Sequence, residues 1–371
     1  MRKSNEAGEG KIPSDPAEAF IHEEQRILKK DLRNMTPEEL EELALSMGQK
    51  KYRGVQLLEW IYKGTTDFRE MKNLPGIFLS DLERECTLGS LTVLRCQISK
   101  KDGTRKYLFG LPDGNAVESV FMKYRYGNSV CISSQAGCRM GCAFCASGID
   151  GLVRGLTAGE MVSQVLDVAR ETGEPVRHVV VMGTGEPFDN YDELARFLRI
   201  LHAERGAGFS WRNITVSTCG LIPGIRRFSK EFPEVGLAVS LHAPSDEIRR
   251  RIMPVANAYP IGDLLEACRD YTEKTHRRIT FEYALIRGVN DSSGDIEALA
   301  GILRGMLCHV NLIPLNEVRE TGLATSGVRG ARRAAEILER AGIPVTVRRQ
   351  LGSDIDGACG QLRRSGTGRF V

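Results

Sequence analysis

Cys138, Cys142 and Cys145 stand four and then three residues apart in the run Gly137-Cys138-Arg139-Met140-Gly141-Cys142-Ala143-Phe144-Cys145. Clustered thiols in a reducing compartment are more often metal ligands or catalysts than disulfides. A cubane of four irons wants one ligand per iron, so three thiolates leave one iron with an open position. An open position is what a reactive metal centre requires. A closed zinc site would need a fourth ligand, from Cys131 or a distant histidine, in tetrahedral geometry. Spacing alone leaves both readings standing.

A second set of polar residues follows apolar runs. In parallel β/α architectures chemistry collects at the C-terminal ends of the strands. The run ending at Met182 leads into Gly183-Thr184-Gly185-Glu186-Pro187, and Ile214-Thr215-Val216 into Ser217 and Thr218. Leu237-Ala238-Val239 leads into Ser240-Leu241-His242, and Leu312-Ile313-Pro314-Leu315 into Asn316. Taken singly, Ser217 reads as a turn residue, His242 as a satisfied histidine under a loop and Asn316 as a helix cap. Together they suit a polar ligand lying across the mouth of a sheet.

The elements that would position these residues are legible in outline. Residues 1–20 read as a disordered arm rich in Gly, Ser, Pro and Glu. A helical module over 21–88 follows: a segment at about 20–33, then Thr36-Pro37-Glu38-Glu39 as a capping box with proline at the first helical position, then helices near 51–63 and 75–85. Residues 89–128 form a β-meander, three alternating strands separated by Asp102-Gly103 and Asp113-Gly114 turns. The strand at 129–134 delivers the cysteine loop. Over 129–350 apolar runs alternate with helices, which implies a parallel sheet covered by helices. Six such units fall short of eight, so an open barrel is expected rather than a closed one, and periodicity alone does not separate it from a doubly wound sheet. Residues 351–371 form a C-terminal loop carrying Cys359 between glycines.

Bulk composition limits the partners. With 371 residues, 42% hydrophobic and 27% charged, the chain has ample material for a core, and its formal charge of +3 makes any basic surface a local one. Arg226-Arg227, Arg249-Arg250-Arg251, Arg277-Arg278, Arg348-Arg349 and Arg363-Arg364 are candidates to hold phosphates, without a specific contact assigned to any. No apolar run is long enough for a membrane span and the N-terminus has no signal-peptide pattern, so a cytoplasmic protein without a membrane partner is expected. Of the ten cysteines, Cys86, Cys96, Cys219, Cys268 and Cys308 read as small buried hydrophobes.

The cysteine spacing resembles that of the radical S-adenosylmethionine (SAM) enzymes. With Val117-Glu118-Ser119-Val120, Cys131-Ile132-Ser133-Ser134-Gln135, residues 183–191, the strand-end ring and Gly357-Ala358-Cys359-Gly360-Gln361, the chain resembles the RlmN/Cfr family of radical-SAM RNA adenosine methyltransferases, nearest its RlmN branch. The resemblance runs over about residues 35–362. It implies an α/β fold: a partial (β/α)6 radical-SAM barrel with a β-extension and a small N-terminal helical domain that assists RNA binding. It implies a 4Fe–4S cluster on Cys138, Cys142 and Cys145, with SAM chelating the open iron. The expected SAM contacts are Gly185, Glu186, Ser217, Ser240, Leu241, His242 and Asn316.

The implied reaction answers a chemical difficulty, since carbon 2 of adenine is electron-poor and cannot attack a sulfonium methyl. One SAM methylates Cys359. A second is cleaved to a 5′-deoxyadenosyl radical that takes hydrogen from that methyl, and the methylene radical adds to the ring of an adenosine in 23S rRNA and in tRNA. Glu118 matches the family's proposed base; its plainer reading is an exposed strand carboxylate. Cys131 then attacks the Cys359 sulfur, forming a disulfide and freeing the product. A flavodoxin- or ferredoxin-like donor supplies electrons, and a monomer is expected. Methylation at carbon 8 of the same adenosine, as in the Cfr branch, is the nearest alternative, and a zinc-bearing RNA-binding module is the non-enzymatic one.

Overall fold

The computed structural model describes residues 29–315 and 322–355. The expected N-terminal arm, Asn316 and Cys359 lie outside these residues.

The segment expected as a helix at 20–33 is different where it is described. Lys30–Asp31 (β1) pairs in parallel with Cys86–Thr87 (β2), and a single 3-10 turn, Leu32–Asn34, follows. Asp31 explains the change: its carboxylate accepts the Arg33 N–H at 2.9 Å, a local bond that competes with a regular helix. Thr36 and Glu39 form the expected capping box, opening helix α1 at Pro37–Ser46. Helices α2 (Tyr52–Tyr62) and α3 (Gly76–Glu85) complete the module. Leu40, Leu43 and Ala44 share a core with Leu57, Leu58 and Ile61. A Cβ on Gly54 would lie 2.5 Å from the Glu41 backbone, so the crossing of α1 and α2 requires glycine there.

Strands β3 (Thr92–Ile98), β4 (Arg105–Gly110) and β5 (Ala116–Met122) form the antiparallel meander. It is not a separate layer, because β5 pairs antiparallel with β6 (Ser129–Ile132) and so continues the main sheet. From β6 the chain runs through a short hairpin, β7 (Gln135–Gly137) and β8 (Leu152–Gly155), into helix α4 (Ala158–Thr172). There follow β9 (His178–Val181), α5 (Tyr191–His202), β10 (Ile214–Thr218), α6 (Ile222–Glu231) and β11 (Gly236–Ser240). Helices α7 (Asp246–Ile252) and α8 (Ile261–Thr275) lead to β12 (Ile279–Leu285), α9 (Ser293–Leu303), β13 (Cys308–Pro314), α10 (Gly327–Arg340) and β14 (Val345–Val347). The ten strands lie in the order β14-β13-β12-β11-β10-β9-β6-β5-β4-β3, with every pairing from β6 to β14 parallel.

Each parallel strand has two faces. Val179, Val216, Val239, Phe281, Tyr283 and Leu312 are buried in the core they share with Val165, Leu198, Phe228, Leu264 and Leu338 of the helices. The alternate positions, Met182, Ser217, Ser240, Glu282, Ala284 and Ile313, line a common cavity. Strands spaced about 4.8 Å apart would spread β9 to β14 over roughly 24 Å if flat, so sharing one cavity requires the sheet to curl. The result is an open, partial (β/α)6 barrel. No helix among the described residues is long and apolar enough to cross a membrane.

Candidate active site

The cysteine loop leaves β7 and is held by backbone bonds at each thiol. Cys138 N–H donates to Gly151 O at 2.9 Å, Cys145 N–H to Cys142 O at 3.1 Å, and Ala143 N–H to Ile252 O at the end of α7 at 2.9 Å. Met140, Cys142 and Phe144 pack on Ile252, Met253, Ala243 and Leu315, and the Phe144 ring meets His242 edge-on at 4.7 Å. Burial pushes the Cys138 thiol up to about 11. Burial and then the two neighbouring thiols push Cys142 higher still. Two buried thiols whose ionisation is opposed, with a third cysteine beside them, fit a bound cation, whose charge reverses that preference. A cubane takes each sulfur at a different iron, so this donor set fits a cluster.

The three cysteines share a cavity of about 250 Å3 with Gly185, Glu186, Ser217, Ser240 and His242. Gly185 has φ 108°, and a Cβ there would lie 2.6 Å from the Gln135 side chain, so the close approach of this loop needs glycine. The Glu186 carboxylate accepts the N–H groups of Phe188 at 3.0 Å and Cys219 at 2.7 Å, while burial holds its pKa above the usual carboxylate range. His242 occupies the left-handed region at φ 55°. Its Nδ1 accepts the Ala284 N–H at 2.9 Å, which puts the ring proton on Nε2. Burial, then the nearby Arg249 charge, brings its pKa down to about 3, so the ring is neutral. Leu241 turns the other way: its side chain is buried in the helix-facing core and its N–H donates to Glu282 O at 3.1 Å.

A larger cavity of about 530 Å3 adjoins the first, and Met182, Glu282 and Arg348 line both. Cys131 is buried and in register with Val180 on β9 and Val120 on β5. Val180, and Ser129 two residues before Cys131, line the larger cavity, so Cys131 faces the same side of the sheet. Glu118 lies on that face too, two residues from Val120. It is not the exposed carboxylate of the plainer reading: it is 4% exposed and pairs at 3.1 Å with Lys106, which is fully buried. The segment leading towards Cys359 is tied to the β3–β4 turn, with Ser99 Oγ donating to Asp354 at 2.6 Å, Lys100 N–H to Asp354 at 2.9 Å and Gly352 N–H to Asp102 at 2.9 Å.

Sequence reasoning missed Glu282 and read Cys219 only as a buried hydrophobe. Both line the smaller cavity, together with Thr218 of the strand-end set and Arg348 of the phosphate candidates. Cys96, by contrast, is exposed, because β3 is the edge strand. Arg249 is unavailable to phosphate: it has no exposed surface, and its guanidinium donates to the carbonyls of Cys219 at 2.7 Å, Leu241 and Tyr259 at 3.2 Å, and Ser240 at 3.4 Å.

Comparison with known proteins places this geometry in a family. The radical SAM superfamily model matches residues 132–300, and the model of the ribosomal RNA large subunit methyltransferase N-terminal domain matches residues 30–87. A probable dual-specificity RNA methyltransferase RlmN of Desulforamulus reducens is 49% identical over 91% of this chain and 96% of its own. Its counterpart in Pelotomaculum thermopropionicum is 52% identical over 90% of this chain and 91% of its own. The chain belongs to the RlmN family of radical SAM RNA methyltransferases. The crystal structure of a radical SAM methyltransferase from Sphaerobacter thermophilus superposes with a TM-score of 0.86 at 47% identity, covering 90% of this chain and 98% of that one. As an RlmN-family enzyme the protein has the radical SAM fold and uses SAM and an iron–sulfur cluster, with RNA as substrate.

Proposed function

We propose that this enzyme methylates carbon 2 of an adenosine in 23S rRNA and in tRNA, using two SAM per turnover and Cys359 as the methyl carrier. The observation that carries the reading is the joining of two cavities. One combines three thiols with polar strand ends, and the adjoining one lies on the face to which Cys131 and Glu118 are turned. The relatives' description as dual-specificity enzymes supports two RNA substrates.

Cys138, Cys142 and Cys145 would hold a 4Fe–4S cluster, with Gly185, Glu186, Ser217, Ser240, His242, the Leu241 backbone and Asn316 around SAM. When bound, cluster and SAM supply a carbon radical able to take hydrogen from an unactivated methyl group. The neutral His242 Nε2–H offers a hydrogen-bond donor at all physiological pH values. Cys359 receives a methyl as a thioether, and its sulfur then bonds to RNA through that carbon. Glu118 takes the proton from the modified ring carbon. Cys131 breaks the adduct by attacking the Cys359 sulfur: the sulfur–sulfur bond forms as the sulfur–carbon bond breaks, the released carbon takes a proton to become the product methyl, and the disulfide left behind is reduced by external thiols. The target adenine must leave its stack to reach these groups. Electrons come from a flavodoxin- or ferredoxin-like donor, and the enzyme works as a cytoplasmic monomer.

Anaerobic incubation with labelled SAM and separate rRNA and tRNA pools, followed by nucleoside mass spectrometry, tests the assignment. 2-Methyladenosine is expected in both pools; 8-methyladenosine would overturn the regiochemistry. Cys359→Ala should keep its iron content and lose all methylation, and methylated RNA from it would refute the carrier role. Cys131→Ala should accumulate a covalent protein–RNA species visible on a denaturing gel; normal turnover would remove Cys131 from the scheme.

A further inference from the structure

The loop joining β5 to β6 stacks Tyr124 on Tyr126, with ring centroids 5.0 Å apart and planes 8° from parallel. His178 meets Tyr126 at 5.2 Å with its ring at 81°, bracing the pair from the sheet. Tyr126 nevertheless remains 67% exposed. Both tyrosines line the larger cavity together with Arg125, Arg348 and Arg349, and among the described residues Glu282 is the single acid in that lining. That carboxyl is itself held above its usual range, first by burial. The wall is therefore cationic and aromatic, and its cavity adjoins that of the three thiols, sharing Met182, Glu282 and Arg348 with it.

Unpaired RNA is recognised by aromatic faces under its bases and arginines at its phosphates. Swinging an adenine out of its stack leaves the neighbouring base without a partner, and a tyrosine face can replace the one it lost. We propose that Tyr124 and Tyr126 form a stacking platform for the nucleobase next to the target adenosine, with Arg125 and Arg349 at the adjoining phosphates. This inference rests on the enzyme's acting on an RNA adenosine.

The test uses the full-length, cluster-loaded enzyme and an RNA hairpin with the target adenosine in its loop and 2-aminopurine at each flanking position in turn. Binding to the wild type should quench the fluorophore at one flank. Tyr126→Ala should weaken RNA binding by roughly 10-fold to 100-fold, the size of one stacked base, and abolish the quench. Tyr126→Phe and Tyr126→Trp should keep both. Arg349→Gln should reduce the slope of log affinity against log salt by about one contact. Tyr126→Ala binding RNA with wild-type affinity and quench overturns the platform. So does a Tyr126→Ala enzyme that is slowed only in reduction by flavodoxin, since the face would then dock the electron donor. If the wild type methylates neither the hairpin nor rRNA, the underlying reading fails as well; a wild type that methylates alongside unaffected tyrosine variants sinks the platform alone.

Discussion

Arg249 shows how a single residue outside the reacting groups shapes the site. Its guanidinium joins the carbonyl ends of two strands, at Cys219 and at Ser240 and Leu241, to the loop at Tyr259. The same helix, α7, fastens the cysteine loop through Ile252 O. Arg249→Met would leave buried carbonyl oxygens without donors, at about 1–3 kcal/mol each. We expect it to lower the melting temperature and to weaken SAM binding more than tenfold while iron content stays close to that of the wild type. Arg249→Lys should not rescue it, because an ammonium is a point donor without the fork that reaches several carbonyls. Calorimetric titration of SAM into the anaerobic enzyme reads this directly, and full affinity in the lysine variant would count against it. Nothing in Arg249-Arg250-Arg251 distinguishes a buried arginine from a solvated helix face; only the convergence of strand ends creates its task. Ser217, Ser240 and His242 were legible because parallel strands end together. The opposite turn of Leu241 follows from the two-residue period of a strand.

At the scale of elements, Asp31 is the instructive case. It ends β1, caps the 3-10 turn through the Arg33 N–H and is half-buried, and the desolvation raises its carboxyl to about 6. Burial is the main cause, offset in part by the Arg33 N–H and charge. A raised carboxyl pKa means that the folded state holds the proton more tightly. Its stabilising contribution is complete below about pH 4 and is lost as pH rises through about 6. Asp31→Asn keeps the acceptor and discards the charge, so it should stabilise the protein at pH 7.5 by about 2–3 kcal/mol and change little at pH 4. Thermal melts at the two pH values decide it; equal shifts at both would refute the burial argument. Local signals succeeded where caps and turns are self-contained, as at Thr36 and Glu39. They failed at Lys30–Asp31, whose structure is set by pairing with Cys86–Thr87, more than fifty residues away.

At the scale of the molecule, alternating strands and helices made a helix-covered parallel sheet legible and the family resemblance made it a partial barrel, whose strands lie in chain order from β9 to β14. What alternation did not reveal is that the meander and barrel form one sheet through Val120 and Cys131, or that the N-terminal module is locked down. That lock centres on Asp167 of α4. It pairs with Arg33 at 2.9 Å, both side chains fully buried, and its other oxygen accepts the Leu91 N–H at 2.7 Å where the meander begins. Asn34 O accepts Arg196 Nε at 2.7 Å, and Tyr62 OH donates to Ile200 O at 2.8 Å, so α5 joins the contact. Asp167→Ala strands a buried guanidinium, whose Nε and one terminal nitrogen already have no partner among the described residues. The expected loss is about 3–5 kcal/mol. An Arg33→Met, Asp167→Leu double variant should regain part of it, because the two apolar groups need no partners of their own, while the Leu91 N–H and Arg170 lose their shared acceptor. Urea unfolding gives the energies, and amide exchange should show protection falling together over residues 30–88 and the first strand of the meander in the single variant. A double variant no more stable than Asp167→Ala alone would show that the pair contributes more than charge compensation to docking the module.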